Sequence, residues 1–201
     1  MMHIDPLKQK ERDNYKMMIG SIIPRPIAFI TSQSEEGVVN AAPFSYFNIV
    51  TANPPMIAVS IQRKEEKMKD TARNIINNKE FVVHIVSKSF IREVNKTAAA
   101  LPYHESEIEL TDLQLTESKK ISVPTVETAK VAFECILEKH VILGDEEKAV
   151  DHIIGRIVNF NIDDELIDNY RIDPYKLAPI SRLAGHNYSE LGEIFALERP
   201  E

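Results

Sequence analysis

The sequence predicts a mainly β protein with short helices, its antiparallel strands curled into a closed or partly closed barrel of Greek-key type. Three observations carry that prediction. Six or so β-rich runs dominate the 201 residues, and the longest two, at 131–143 and 149–162, are separated only by the turn GDEE. Just two helical stripes interrupt the strands, so the regular strand–helix alternation of a doubly wound parallel sheet is missing. An apolar fraction of 43 % over this length suits a single domain, 1–201, with a core of its own.

The elements follow in order. PIAFITSQ (26–33) is apolar and rich in β-formers, and the rigid Pro24-Arg25-Pro26 leads into it. SEEG, with Gly37 suited to positive φ, turns the chain into VVNAA, which makes a hairpin. Past Pro43, FSYFNIV leads to the turn TANPP (51–55) and to a strand, MIAVSIQ (56–62). Asp70 or Thr71 is placed to cap a helix with the apolar stripe Ala72, Ile75 and Ile76. FVVHIVS (81–87) is again a strand, and Ser87 or Ser89 is placed to cap a second helix with Phe90, Ile91, Val94 and Ala98 inside. Residues 102–128 are acidic and punctuated, and read as an excursion over the surface. After the long hairpin, DDELIDNY reads as a short helix and the tail from 174 as loop.

Composition narrows the function classes. A formal charge of −7 repels nucleic acid. No apolar run approaches the roughly 18 residues that span a bilayer. The polar stretch 1–16 lacks the apolar core of a secretion signal, so the expected compartment is the cytoplasm. The one cysteine, Cys135, excludes an intrachain disulfide and a cysteine-cluster metal site. It alternates with Val131, Phe133 and Leu137 and reads as a buried thiol. Neither a GxGxxG fingerprint nor a P-loop is present, so any nucleotide is held some other way.

Two segments suggest how. Arg63 to Arg73 carries five basic residues against three acids and runs into a helix N-terminus, where free N–H groups and the dipole favour an anion. Thr71 and Asn74 add a hydroxyl and an amide. Taken alone, this reads as an ordinary solvated loop before a capped helix. NAAPFSYF (40–47) puts a proline among small and aromatic residues. Ala41 and Ala42 admit something flat, Asn40 and Ser45 offer hydrogen bonds, and Phe44, Tyr46 and Phe47 offer walls. Taken alone, it is also a barrel corner with a bulge. Together, separated by one turn and one strand, they describe a ring slot and a phosphate pocket for one molecule: FMN.

The run IGSIIPRPIAFITSQSEEGVVNAAPFSYFNIVTANPPMIAVSI, with KDTARNI, FVVHIV, DHIIGRIV and RLAGHNYSELGEIFALERP, resembles the flavin reductase family with the FMN-binding split barrel. The resemblance covers nearly all of the chain from about residue 15. It implies a homodimer with flavin at the interface, reduced by NADH or NADPH, and in some members a monooxygenase that receives reduced flavin. Carried over, Asn40, Ala41, Ser45, Tyr46 and Phe47 line the ring, Ser60, Ile61 and Arg63 follow the ribityl chain, and Lys69, Thr71 and Asn74 receive the phosphate. Arg25 either pairs with the phosphate or holds its turn. Lys96 is a candidate for the polar edge of the ring, and His152 and Tyr188 are candidates to reach the flavin. No metal site is expected, since His140 and His152, facing one another across the hairpin, would lack a third ligand. His84 stands where the family pattern suggests asparagine, and His186 where it suggests a small or amide residue. Hydride transfer needs alignment more than an acid or base, so no indispensable catalytic residue is expected beyond the candidates His152 and Tyr188. Two alternatives remain: an FMN electron carrier fed by a protein, and a binding module without turnover.

Overall fold

Seven strands form one antiparallel sheet: β1 (Ala28–Gln33), β2 (Val39–Phe44), β3 (Phe47–Ala52), β4 (Pro55–Gln62), β5 (Glu80–Ile85), β6 (Val131–Leu143) and β7 (Val150–Ile162). Their order across the sheet is β2-β1-β5-β6-β7-β4-β3. The computed structural model describes residues 1–145 and 148–200.

That order forces the sheet to roll up. Its two edges, β2 and β3, follow one another in the chain with only Ser45 and Tyr46 between them. Laid flat, seven strands would put the edges about 29 Å apart, whereas so short a link reaches only about 10 Å. The sheet therefore curls into a barrel, and Ser60 N–H, donating to the Tyr46 carbonyl at 2.8 Å, carries the β3–β4 ladder into the link. β2 and β3 themselves are not paired, so the barrel is split.

Pro43 fits because β2 pairs only with β1, Phe29 standing opposite Pro43. Ala41 N–H, two residues earlier, points away from β1 to the Glu107 carboxylate. By alternation Pro43 lies on the same outward side, where a missing N–H breaks no ladder bond.

The barrel interior holds Ile30, Ile57, Val59, Ile61, Phe81 and Ile153, closed at one end by Ala72 and Ile75 of helix α2 (Asp70–Asn78). Cys135 is among them and fully buried, and that burial pushes its thiol pKa up. A second core lies outside the barrel wall, where Phe29, Val86, Phe90, Val94 and Ile180 pack beneath helix α3 (Ile91–Lys96).

Several local expectations need correction. Helix α1 (Glu11–Ser21) was not foreseen, because its apolar residues make no stripe and only Ile19 is buried. Neither Asp70 nor Thr71 caps α2: Lys69 is the N-cap, without a side-chain bond, and Thr71 Oγ1 donates to Asn40 instead. Ser87 and Ser89 bond one another rather than capping α3, and Ala98 is exposed while Thr97 takes the buried place. DDELIDNY makes one tight turn (Asp164–Leu166) and a two-residue ribbon. The tail holds helix α4 (Pro174–Leu177) and a small sheet in which Ser181–Arg182 pairs with both Arg25–Pro26 and Tyr188–Ser189. Of the GDEE turn, Gly144 takes a left-handed φ of +85°, and Glu146 and Glu147 lie outside the described residues.

The excursion 102–128 buries Glu107, Leu113, Val123 and Val126. It is also tied to the barrel by Glu134, whose carboxylate accepts from the Lys119 and Lys120 N–H groups and from Asn159 and Asn161.

Candidate functional site

Behind β2 lies a knot of buried polar groups. Asn40 Nδ2 donates to both oxygens of Glu107 at 2.9 Å, and Ala41 N–H donates to the same carboxylate at 3.1 Å. Asn40 Oδ1 accepts from Thr71 Oγ1 at 2.6 Å and from Ser32. Asn74 donates to Ser32 and accepts from the Tyr103 hydroxyl. Burial holds the Glu107 carboxyl above the ordinary carboxylate range, against the pull of its N–H donors. The groups of Asn40, Ala41, Thr71 and Asn74 that the sequence offers to a ligand are thus turned on one another. Glu107 and Tyr103, which hold them, were missed: nothing in the acidic spacing of 102–128 marks either as inward-facing.

The open face of the same strand carries a groove of three connected cavities. The first, about 310 Å³, is walled by Phe44, Lys64, Lys69 and Thr71. It shares Pro43, Phe44 and Ala98 with the second, about 280 Å³, which reaches Ser45, Asn95, His186 and Tyr188. The second shares Ser45 with a third of about 520 Å³, lined by Arg25, Tyr46, Phe47, Ser60 and His152.

The first cavity carries two lysines, Lys64 and Lys69, and two acids that are already engaged: Asp70 is paired with Arg73, and Glu107 accepts from Asn40 and Ala41 N–H. Lys69 Nζ lies 5.6 Å from the centre of the Phe44 ring. Burial first, and then the Lys64 charge, holds its ammonium below the ordinary lysine range. A partly desolvated cation beside a second cation, at a helix N-terminus that no side chain caps, is electrostatically incomplete. An anion would complete it. The far end is polar and aromatic: the Tyr188 hydroxyl donates to Asn95 at 3.1 Å, and Ser60 Oγ meets His152 Nδ1 at 2.9 Å.

The comparisons with known proteins bear on this geometry. Residues 19–177 match the model of the flavin reductase like domain. The chain belongs to the flavin reductase-like family. Nitrilotriacetate monooxygenase component B from Bacillus cereus is 54 % identical, with a TM-score of 0.96 over 98 % of each chain. The 2-nitrobenzoate 2-nitroreductase NbaA of Pseudomonas fluorescens is 32 % identical, with a TM-score of 0.89 over 99 % of this chain and 96 % of its own. A Shewanella frigidimarina chain described as a flavin reductase with a split barrel domain is 20 % identical, with a TM-score of 0.84 over the full length of both, and speaks for the fold alone.

Within this flavin reductase-like chain, several predicted site residues are engaged elsewhere. The side chain of Ile61 is fully buried in the barrel core, so only its backbone is left to face a ligand. Arg63 is paired bidentately with the buried Asp151, its Nη2 2.8 Å and its Nε 3.0 Å from the carboxylate. Lys96 is bonded to Glu93 at 2.8 Å and lies outside the three cavities. Of the two roles open to Arg25, the structure displays the turn-holding one: its guanidinium donates to the carbonyls of Ile19, Ile22 and Leu183 and to Ser45 Oγ. His140 does not face His152. The register sets it opposite Ile153, and its Nε2 bonds Asp151. Among the described residues no group of His, Cys, Asp and Glu is arranged to hold a metal. No helix among them is long and apolar enough to cross a membrane.

Proposed function

We propose that this protein binds FMN along the groove of β2 and catalyses hydride transfer from NADH or NADPH to the flavin. The single observation that carries the reading is continuity: a pocket that holds Lys64 and Lys69 and a polar, aromatic pocket share one wall, Pro43 to Phe44, on one edge strand. The uncompleted charge of Lys64 and Lys69 suits a phosphate, and the small Ala42-Pro43 floor suits a flat ring, so the residues present fit the group. Bound FMN would supply the hydride-accepting ring.

The chain's own residues then do three things. Lys64, Lys69 and the first turn of α2 neutralise the phosphate. Ser45, Asn95 and Tyr188 offer hydroxyl and amide groups to the polar edge of the ring, which favours the form that carries more charge. The wall of Phe44 and the buried knot of Asn40, Thr71 and Glu107, which borders the first cavity, keep strand and helix at a constant spacing. Hydride transfer itself asks for no proton at a protein atom, and His152, already bonded to Ser60, is not needed as a base.

A homodimer belongs to the same reading. Ile22 and Ile49, 63 % and 76 % exposed, stand on the elements that flank the third cavity, and a second copy would cover them. The name of the Bacillus cereus relative, a monooxygenase component, supports a partner that receives reduced flavin.

The test is direct. The purified protein should sediment as a dimer, take up FMN, and consume NADH or NADPH in proportion to added flavin. Bound flavin reduced only by a protein donor would replace the reductase with an electron carrier, and bound flavin reduced by neither would leave a binding module.

A further inference from the structure

A fourth cavity, about 550 Å³, opens beyond Tyr188 and holds two arginines, Arg92 of α3 and Arg182 of the tail sheet. It is not separate from the groove: Ile91, Asn95, Arg182, His186 and Tyr188 line both it and the groove's second cavity. Among the described residues, no carboxylate lies within ion-pairing distance of either guanidinium. Glu190, the acid in this cavity, is taken by Lys88 at 2.8 Å. In a chain of net charge −7, two unneutralised arginines in one cavity are an asymmetry that asks for a reason.

Arg182 is also held in place. Its guanidinium carbon stacks 4.5 Å from the centre of the Tyr188 ring, and its Nη2 donates to the carbonyl of Gly185 at 2.6 Å. Gly185 has a φ of +62°, so the turn that offers this carbonyl is one that glycine makes without strain. Backbone pairing with Arg25 on one side and Tyr188 on the other fixes the strand beneath. A planar guanidinium, pre-positioned with donors to spare, matches a phosphate better than an ammonium would.

We propose that Arg92 and Arg182 bind a phosphate group of the nicotinamide dinucleotide, with the ring end of that donor directed past Tyr188 into the flavin groove. The proposal rests on the reductase reading and adds to it the place where the electron donor is held. The phosphate has two sources, the pyrophosphate common to both dinucleotides and the 2′-phosphate of NADPH alone.

Calorimetric titration of ADP-ribose and of 2′-phospho-ADP-ribose into the wild type, Arg92→Ala and Arg182→Lys separates them. Both substitutions should weaken the fragment by at least roughly tenfold, the scale of a charge-assisted bond, and Arg92→Ala, whose side chain lies outside the flavin groove, should leave FMN affinity within about twofold. Weakening of both fragments assigns the pyrophosphate, and weakening of the phosphorylated one alone assigns the 2′-phosphate. Because Arg92 is exposed on α3, its variant tests the idea even if changes at Arg182 disturb the tail. Fragments bound equally well by all three proteins would overturn the assignment, as would a wild type that oxidises NADH or NADPH yet binds neither fragment. Fragment binding without any flavin turnover would instead overturn the reductase reading and leave this site standing.

Discussion

A buried imidazole is tolerated when both nitrogens have partners, and His84 meets that condition. Its Nδ1–H donates to the Phe29 carbonyl and its Nε2 accepts from Val126 N–H, each at 2.9 Å. These partners specify the neutral tautomer, since a carbonyl can only accept and an amide N–H can only donate. Burial accordingly lowers the His84 pKa from 6.5 to about 4, against the smaller upward pull of the Phe29 carbonyl. The folded value lies below the unfolded one, so the contribution to stability is complete above about pH 6.5. It fades as pH falls toward 4, by an amount that reaches about 3 kcal/mol. Urea unfolding across that range should show His84→Asn losing less stability in acid than the wild type. Parallel pH profiles for the two proteins would contradict this. The bond to Val126 also explains why histidine serves where asparagine was expected: its longer reach ties β5 to the end of the excursion.

At the scale of elements, the long hairpin of β6 and β7 shows how one residue type governs packing. Its register shifts between Ile154 and Gly155. A Cβ at Gly155 would stand 2.3 Å from Cζ of Phe81, a fully buried ring in the barrel core. Gly155→Ala should therefore lower stability by about 1–3 kcal/mol, the range for overpacking a filled core, and Phe81→Leu in the same chain should restore part of it. Thermal unfolding of the two variants decides the matter, and an unchanged single variant would refute it. This hairpin was legible in the sequence because strands of this length carry strong alternation, and β1 because it opens apolar and rich in β-formers. Helix α1 and the two-residue ribbons of the tail were not, since an irregular apolar pattern and two residues carry no period. Chain segments that would wall a groove at 40–47 and 63–73 could be named from residue types. The inward turn of Asn40 onto Glu107 could not, because it depends on which segment crosses β2, and that is a tertiary fact.

For the molecule as a whole, the decisive feature is that both edges of the sheet meet at Ser45-Tyr46. Closure there brings the loop before α2, the open face of β2 and the tail into one line of cavities, from Lys69 past Ser45 to Arg182. The central claim is that the cationic end of this line holds the phosphate of the flavin. It is tested most directly by comparing dissociation constants for FMN and for riboflavin, which lacks the phosphate, in the wild type and in a Lys64→Ala, Lys69→Ala double variant. The wild type should prefer FMN by roughly a hundredfold, in keeping with two charge-assisted contacts, and the double variant should lose most of that preference while riboflavin binding is unchanged. Equal affinity of the wild type for the two flavins, or a preference that survives the loss of both lysines, would contradict the account.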